Sequence, residues 1–317
     1  MNSSWLSRNK GLLFAAPWII GLAVFTLYPF LAAFYYSFTD FSVLLPPEYV
    51  GTANFKEMAS DSVFWLTLKN TMIYAGLAIP FGLVAALALA LLMNSIKRGQ
   101  ALYSVIFYLP HLVPVVASTI LWMWIYNAEF GLLNNAIRPV YDFFNSVHAW
   151  LSPSWSEALK TKPDLAWAPP SWLGSANWAL PALVLMSIWG VGQSAFIYLA
   201  KLQDVPQELY EAAELDGANT WQKIRHVTLP MISPIIFFNV IMGIIGAFQV
   251  FSEPYIMTQG GPAQATYFLP HYIYDNAFTY MRMGYACALG SVLFLIILVQ
   301  TLGANYWMSK RVYYAGK

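Results

Sequence analysis

The sequence predicts an all-α protein that crosses a membrane six times. Composition points there first: of 317 residues, 59% are hydrophobic and only 10% charged, and the mean hydropathy is +0.54. A soluble domain carries about 25% charged residues, so this chain cannot build a water-facing surface and lipid must be its solvent. The second observation is a set of windows without Asp, Glu, Lys or Arg, at 11–39, 70–96, 99–128, 165–200, 227–252 and 283–309. Each exceeds the roughly 20 residues with which a helix crosses about 30 Å of hydrocarbon. The alternating pattern of a membrane barrel is absent.

The helices are expected near 12–38, 68–94, 101–127, 178–200, 231–252 and 285–308, in one transmembrane domain over 1–317. Arg8 and Lys10 precede the first run as in a signal peptide, but the run continues uncharged to Thr39. That is longer than a cleavable core of about 7–15 residues, so the run is read as a retained anchor. A short mixed loop, 41–66, leads to the second span, and a tight turn at 95–100 with Lys97 and Arg98 leads to the third. The loop 128–177 is rich in Trp and Pro, among them Trp150, Pro153, Trp155, Trp167, Pro169, Pro170 and Trp172. It is expected to hold short amphipathic pieces against the bilayer, as interfacial Trp does, or a docking surface for an external partner. Pro17, Pro29, Pro80, Pro110, Pro114 and Pro181 sit in or at the ends of spans, where each is expected to bend its helix.

Lys and Arg fix the orientation. Arg8, Lys10, Lys97, Arg98, Lys201, Lys223, Arg225, Lys310, Arg311 and Lys317 fall on one side, which is therefore cytoplasmic and holds both termini. Lys56, Lys69, Arg138, Lys160, Lys162 and Arg282 are spread over the longer loops of the other. A net charge of +1 offers no basic face to nucleic acid. Cys287 is the only cysteine and reads as a small core hydrophobe. His111, His148, His226 and His271 lack metal-site spacing.

Between the fourth and fifth runs lies EAAELDGANTWQKIRHVTLPMISP, residues 211–234. From Asp204 this region reads as two short helices. Asp204 is expected to cap the first, with Pro206 in its opening turn. Val205, Leu209, Ala212 and Ala213 form a narrow apolar stripe flanked by Glu208, Glu211 and Glu214. Gly217 stops this helix in a left-handed conformation, and Asn219 or Thr220 caps a second helix from Trp221 to His226. Interfacial helices carry Lys and Arg opposite large apolar residues. This one is acidic with an alanine stripe, which suits a protein docking knob at 204–230.

Within the spans the mid-depth polar side chains are Ser118, Thr119, Ser187, Gln193, Ser194, Asn239 and Gln249. Such groups face the bundle interior, where they bond helix to helix or line a path. Glu253 reads either as a path-lining acid or as a solvated helix end. No Ser-His-Asp set or carboxylate pair converges, and no G-x-x-x-x-G-K-[ST] loop occurs.

The residues Glu211-Ala212-Ala213, Asp216-Gly217-Ala218 and Leu229-Pro230 resemble the EAA loop of binding-protein-dependent ABC importer permeases. LAKLQDVP at 199–206, TQGGP at 258–262, Val50-Gly51, Asn54-Phe55 and Asn70-Thr71 resemble the carbohydrate branch, the maltose/glycerol-phosphate type. The resemblance runs from about residue 12 to 310; Lys201 replaces a usual small residue and the 128–177 loop is long. It implies a type I importer fold in a bacterial inner membrane, and a partner list of a second permease subunit, two copies of a cytoplasmic ABC ATPase, and an external sugar-binding protein. ATP and Mg would be held by that ATPase and no cofactor by this chain. Glu211, Ala212, Ala213, Asp216, Gly217, Ala218 and Pro230 would couple to the ATPase. By the same resemblance a sugar, oligosaccharide or polyol would pass Gly190, Gln193, Ser194, Gly243, Ala247, Phe248, Gln249 and Val250. Trp189 and Phe248 offer stacking faces, while Ala247 and Val250 stand where the family has asparagines. The rival readings are an ion-coupled transporter, which needs buried mid-membrane charges, and an enzyme acting on a lipid-linked sugar.

Overall fold

The structure, a computed structural model, describes residues 10–96, 98–152, 167–310 and 312. Arg8, Lys97, Pro153, Trp155, Lys160, Lys162, Arg311 and Lys317, used above, lie outside these residues. Helix α1 (Lys10–Leu22) runs through a widened turn, where the Tyr28 N–H reaches back five residues to the Ala23 carbonyl, into α2 (Tyr28–Tyr36). A small antiparallel hairpin follows, β1 (Thr39–Ser42) against β2 (Leu45–Tyr49), with Thr39 opposite Tyr49. The remaining elements are helices: α3 (Ala53–Ser60), α4 (Ser62–Ser95), α5 (Gln100–Leu112), α6 (Val115–Ile125), α7 (Leu132–Leu151), α8 (Ala176–Trp189), α9 (Gly192–Gln203), α10 (Gln207–Leu215), α11 (Thr220–Met231), α12 (Ser233–Phe248), α13 (Ser252–Thr258), α14 (Leu269–Tyr274) and α15 (Met283–Ser309).

Six spans result, and three of them are unbroken. Phe14–Tyr36, α4 and α15 are each long and apolar enough to cross alone. The other three involve a bend at a break: α5–α6 by 96°, α8–α9 by 44°, and α12 against the polar α11 that leads into it by 72°. The single helices expected over 101–127 and 178–200 are therefore corrected to broken ones, whereas α12 is one helix within the expected 231–252 and the third break falls at its start. The first break has a steric cause. Val113 precedes Pro114, whose ring disfavours helical backbone there, and it sits at φ −70°, ψ 128°. Gly190 marks the second break and Ile232, two residues before Pro234, the third. Pro17, Pro80, Pro110 and Pro181 lie inside helices that continue past them. A missing N–H thus did not by itself break a span; Pro114 did, through the residue before it.

The chain forms two compact bodies. The second comprises 66–271 and the segment after Ile297. In it Tyr74, Tyr126, Leu183, Met257 and Phe268 make one buried cluster, and Ala86, Ala90, Met93, Tyr198, Leu202 and Ile232 another. Two buried hydroxyls tie its segments together: the Tyr126 hydroxyl donates to the Ala182 carbonyl at 2.7 Å, and Thr71 Oγ1 accepts the Leu269 N–H at 2.9 Å.

The first body takes in the residues up to Trp65 and Tyr272–Ile296. Its centre is a network the sequence gives no sign of, because its members lie more than 200 positions apart. Asp61 accepts hydrogen bonds from the Tyr272 hydroxyl at 2.6 Å and the Tyr285 hydroxyl at 2.7 Å. Beside it Arg282 donates to both Glu57 oxygens, at 2.7 and 2.6 Å. Burial pushes the Asp61 pKa up, but the two hydroxyls and the Val63 and Phe64 N–H groups outweigh it and hold the carboxyl below its ordinary 3.8. A carboxylate with a depressed pKa stabilises the fold above its unfolded value and loses that contribution as pH falls through the folded one. Asp61→Asn should therefore lower stability by about 1–3 kcal/mol at neutral pH. The deficit should shrink as both proteins are melted in detergent at pH values progressively below 3.8. A deficit independent of pH contradicts this account.

Candidate functional site

Two features of the second body gather the residues that carry chemistry. One is the polar hairpin α10–α11. Its root is apolar: Val205 is 4% exposed and packs with Leu199, Leu202 and Ile232, flanked by Tyr210, Val227 and Leu229. Pro206, not Asp204, occupies the position before α10. Asp204 ends α9 instead and pairs with Lys201 at 3.5 Å. That exposed pair adds little. The expected stripe is likewise divided, because Val205 precedes the proline that starts the helix and turns to the core, whereas Leu209 and Ala212 are exposed.

The turn itself is closed by backbone bonds. The Gly217 N–H reaches the Glu214 carbonyl at 3.0 Å and the Ala218 N–H the Ala213 carbonyl at 2.9 Å. Gly217 takes φ +77°, with open space around its Cα. Asn219 caps α11 through a reciprocal pair with Gln222, Oδ1 accepting the Gln222 N–H and Gln222 Oε1 accepting the Asn219 N–H. Two ties cross the hairpin: Lys223 Nζ to Glu214 Oε1 at 2.6 Å, and the Tyr210 and Thr228 hydroxyls at 3.0 Å. α11 then widens over Ile224–Thr228 before Pro230.

What the hairpin shows to solvent is acidic and apolar together. Glu208, Glu211, Glu214 and Asp216 are exposed. So are Leu215, at 90%, and Trp221, at 66%. The sequence reading missed both. The available signal was their position on either side of Asp216-Gly217, off the alanine face.

The other feature is a cavity of about 560 Å³ where two broken spans meet. Gly190, Gln193 and Ser194 line it from the α8–α9 break, and Asn239, Gly243 and Ala247 from α12. Gln249, Val250 and Glu253 line it beyond the end of α12, and Tyr74 and Gly82 from α4. A second cavity of about 450 Å³ shares Tyr74, Ser187, Gly190, Val250 and Glu253, and adds His111, Ser118 and Trp189. Phe248, expected on the path, is 2% exposed and lines neither cavity. It packs inward as the last turn of α12. Ser118, Thr119, Ser187 and Asn239 bond to carbonyls three or four residues back in their own helices, at 2.9, 2.6, 2.7 and 3.0 Å. Each of these donors is thus met within its own helix. Among the described residues, no three His, Cys, Asp or Glu side chains gather as a metal site.

Residues 78–312 match the family model described as the binding-protein-dependent transport system inner membrane component. The "Probable ABC transporter permease protein YesP" of Bacillus subtilis is 34% identical over 94% of this chain and 91% of its own length. The "Lactose transport system permease protein LacF" of Rhizobium radiobacter is 32% identical over 92% of this chain and 91% of its own length. Among solved structures, a chain of a bacterial ABC transporter involved in the import of the acidic polysaccharide alginate superposes with a TM-score of 0.76. At 24% identity it covers 97% of this chain and 98% of that one, a likeness of fold.

Proposed function

This chain belongs to the inner-membrane components of binding-protein-dependent transport systems, and from that premise we propose how its hairpin and cavity divide the work. It is a transport subunit and not an enzyme, working with a second permease subunit, a separate ATPase and a solute-binding protein. The hairpin α10–α11 is the plug on which the ATPase pulls. The supporting observation is its build: a base rooted in the core and a tip that exposes Leu215 and Trp221 among carboxylates. Large apolar side chains ringed by charge are what a partner's groove anchors. The hairpin and both termini then face the cytoplasm, and ATP and Mg stay on the ATPase.

Closure of two ATPase copies would draw the hairpins of the two permeases together. The bundle would then rock between inward and outward openings, and its broken spans give that motion three joints. The solute passes the cavity at Gly190, Gln193, Gln249 and Glu253. Its lining of amides, hydroxyls and Tyr74 matches a polyhydroxylated ligand, so a sugar, oligosaccharide or polyol is the cargo. LacF is named for lactose transport, in keeping with this class.

The test is the full assembly in proteoliposomes with its binding protein, offered a panel of sugars and polyols alongside amino acids. Stimulated ATP hydrolysis and uptake are expected with a member of the first group. Stimulation by amino acids alone rejects the carbohydrate reading, and an assembly that purifies without an ATPase rejects the plug.

A further inference from the structure

Helix α7 (Leu132–Leu151) divides into three faces, and one is left exposed among the described residues. At 100° per residue, Asn134, Tyr141, Asn145 and His148 share one side. That side is occupied: Asn145 exchanges two hydrogen bonds with the Trp167 backbone at 2.8 and 3.0 Å. Asn134 donates to the Pro170 carbonyl at 3.2 Å and accepts from Trp172 Nε1 at 2.7 Å, while the His148 and Trp167 rings stack 5.5 Å apart. A second side carries Asn135, Arg138, Asp142 and Ser146, all exposed polar groups. The third is an apolar ridge: Leu132, Ala136, Val140, Phe143, Val147 and Trp150 recur at the spacing of one helical face. Phe143 is 63% exposed and Trp150 82%.

The tether decides what can cover this ridge. Six residues join Ile125, the end of the broken span α5–α6, to Leu132, a reach of at most roughly 25 Å. The segment 167–172 runs back along α7, from Asn145 to Asn134, and then into α8, the next span. The Leu132 end of the helix is thus held between the mouths of two spans, the first of which exposes Ile120 at 58% and Trp124 at 50%. An apolar ridge anchored beside exposed apolar helix surface finds its matching solvent in lipid.

We propose that α7 lies in the membrane–water boundary with the Leu132–Trp150 ridge sunk into the acyl region and the Arg138–Asp142 side in water. Its helical charges are one cation and one anion, so burial of apolar area holds it there, and anionic headgroups do not. Depths of about 5–10 Å are usual for such helices.

The assay uses the full chain, assembled with its partner permease and ATPase in nanodiscs, with Cys287→Ala removing the native thiol. Environment-sensitive fluorophores go on Phe143→Cys, Val147→Cys and, as the water-side control, Asp142→Cys. Labels at 143 and 147 should be quenched at least about threefold more by nitroxide lipids than by aqueous iodide, with the reverse at 142. The pattern should be the same in phosphatidylcholine and phosphatidylglycerol. Iodide-accessible labels at both 143 and 147 overturn the proposal. So does protection that requires the solute-binding protein, which makes the ridge a protein-docking face, or burial that requires the anionic lipid.

Discussion

Gly217→Val is expected to cut uptake roughly tenfold or more while ATP hydrolysis by the assembly continues, because a side-chain-bearing residue held left-handed costs about 1–2 kcal/mol and 1.4 kcal/mol is a factor of ten. Gly217 sits at φ +77° with nothing within 4 Å of where a Cβ would stand. Sterics with neighbours are therefore not at issue; the backbone conformation is. A β-branched residue escapes the strain by rebuilding the turn, and the bonds that close α10, Gly217 N–H to Glu214 and Ala218 N–H to Ala213, are lost first. Little opposes the change. The Lys223–Glu214 pair is largely solvated on the acid's side, and such pairs contribute no more than about 1 kcal/mol. Leu215 would then swing relative to Trp221, and the tip would no longer present one surface. Gly217→Asn separates conformation from size, because asparagine tolerates the left-handed region. It should keep most of the transport. Normal uptake by the valine variant sinks the hinge assignment, and failure of both variants shifts the cause to side-chain bulk at the docked interface.

How much of this was legible follows from what kind of information each feature needs. The six spans were visible because lipid demands uninterrupted apolar length, a property of consecutive residues. The left-handed glycine and the Asn219 cap were visible because each depends on residues within four positions. Breaks were another matter. Six prolines were expected to bend helices, yet Pro17, Pro80, Pro110 and Pro181 are carried inside continuous ones. Hydropathy has no term for direction, so the 96° turn at Val113–Pro114 read as one span. The cavity is a product of those turns. Gln193 and Gln249 were noticed as polar residues, but that Glu253 and Tyr74 meet the same space depends on the breaks at Gly190 and after Phe248. Phe248 lines neither cavity for a related reason: adjacent helical residues point about 100° apart, so Ala247 and Gln249 reach the cavity while Phe248 between them is buried. The Asp61 network lies further still from local reading, since its tyrosines come from the far end of the chain.

Gly192→Val should remove most of the correctly assembled protein, and no change at its neighbour's side chain should restore it. Gly192 opens α9 directly after the Gly190 break, and a Cβ built there runs into the Phe107 carbonyl of α5, with Tyr108 Cα also in contact range. Small residues at such crossings let helix backbones approach in lipid, where dispersion and close packing hold helices together; Ala195, one turn on, is fully buried in the same way. Overpacking a core usually costs about 1–3 kcal/mol because side chains can swing aside. Here the obstacle is backbone, so α5 and α9 must separate along their length and the whole contact weakens. Gln193 and Ser194, the next two residues, would move with α9 and reshape the cavity they line. The expected outcome is a steep fall in folded yield by fluorescence-detected size exclusion, with Gly192→Ala intermediate in yield and reduced in uptake. The discriminating variant is Phe107→Ala in the Gly192→Ala background. Phe107 is 42% exposed, so its ring is not the obstruction, and trimming it should leave the defect unchanged. Rescue by that truncation means the ring, not the carbonyl, sets the distance between α5 and α9, and the account of this crossing fails.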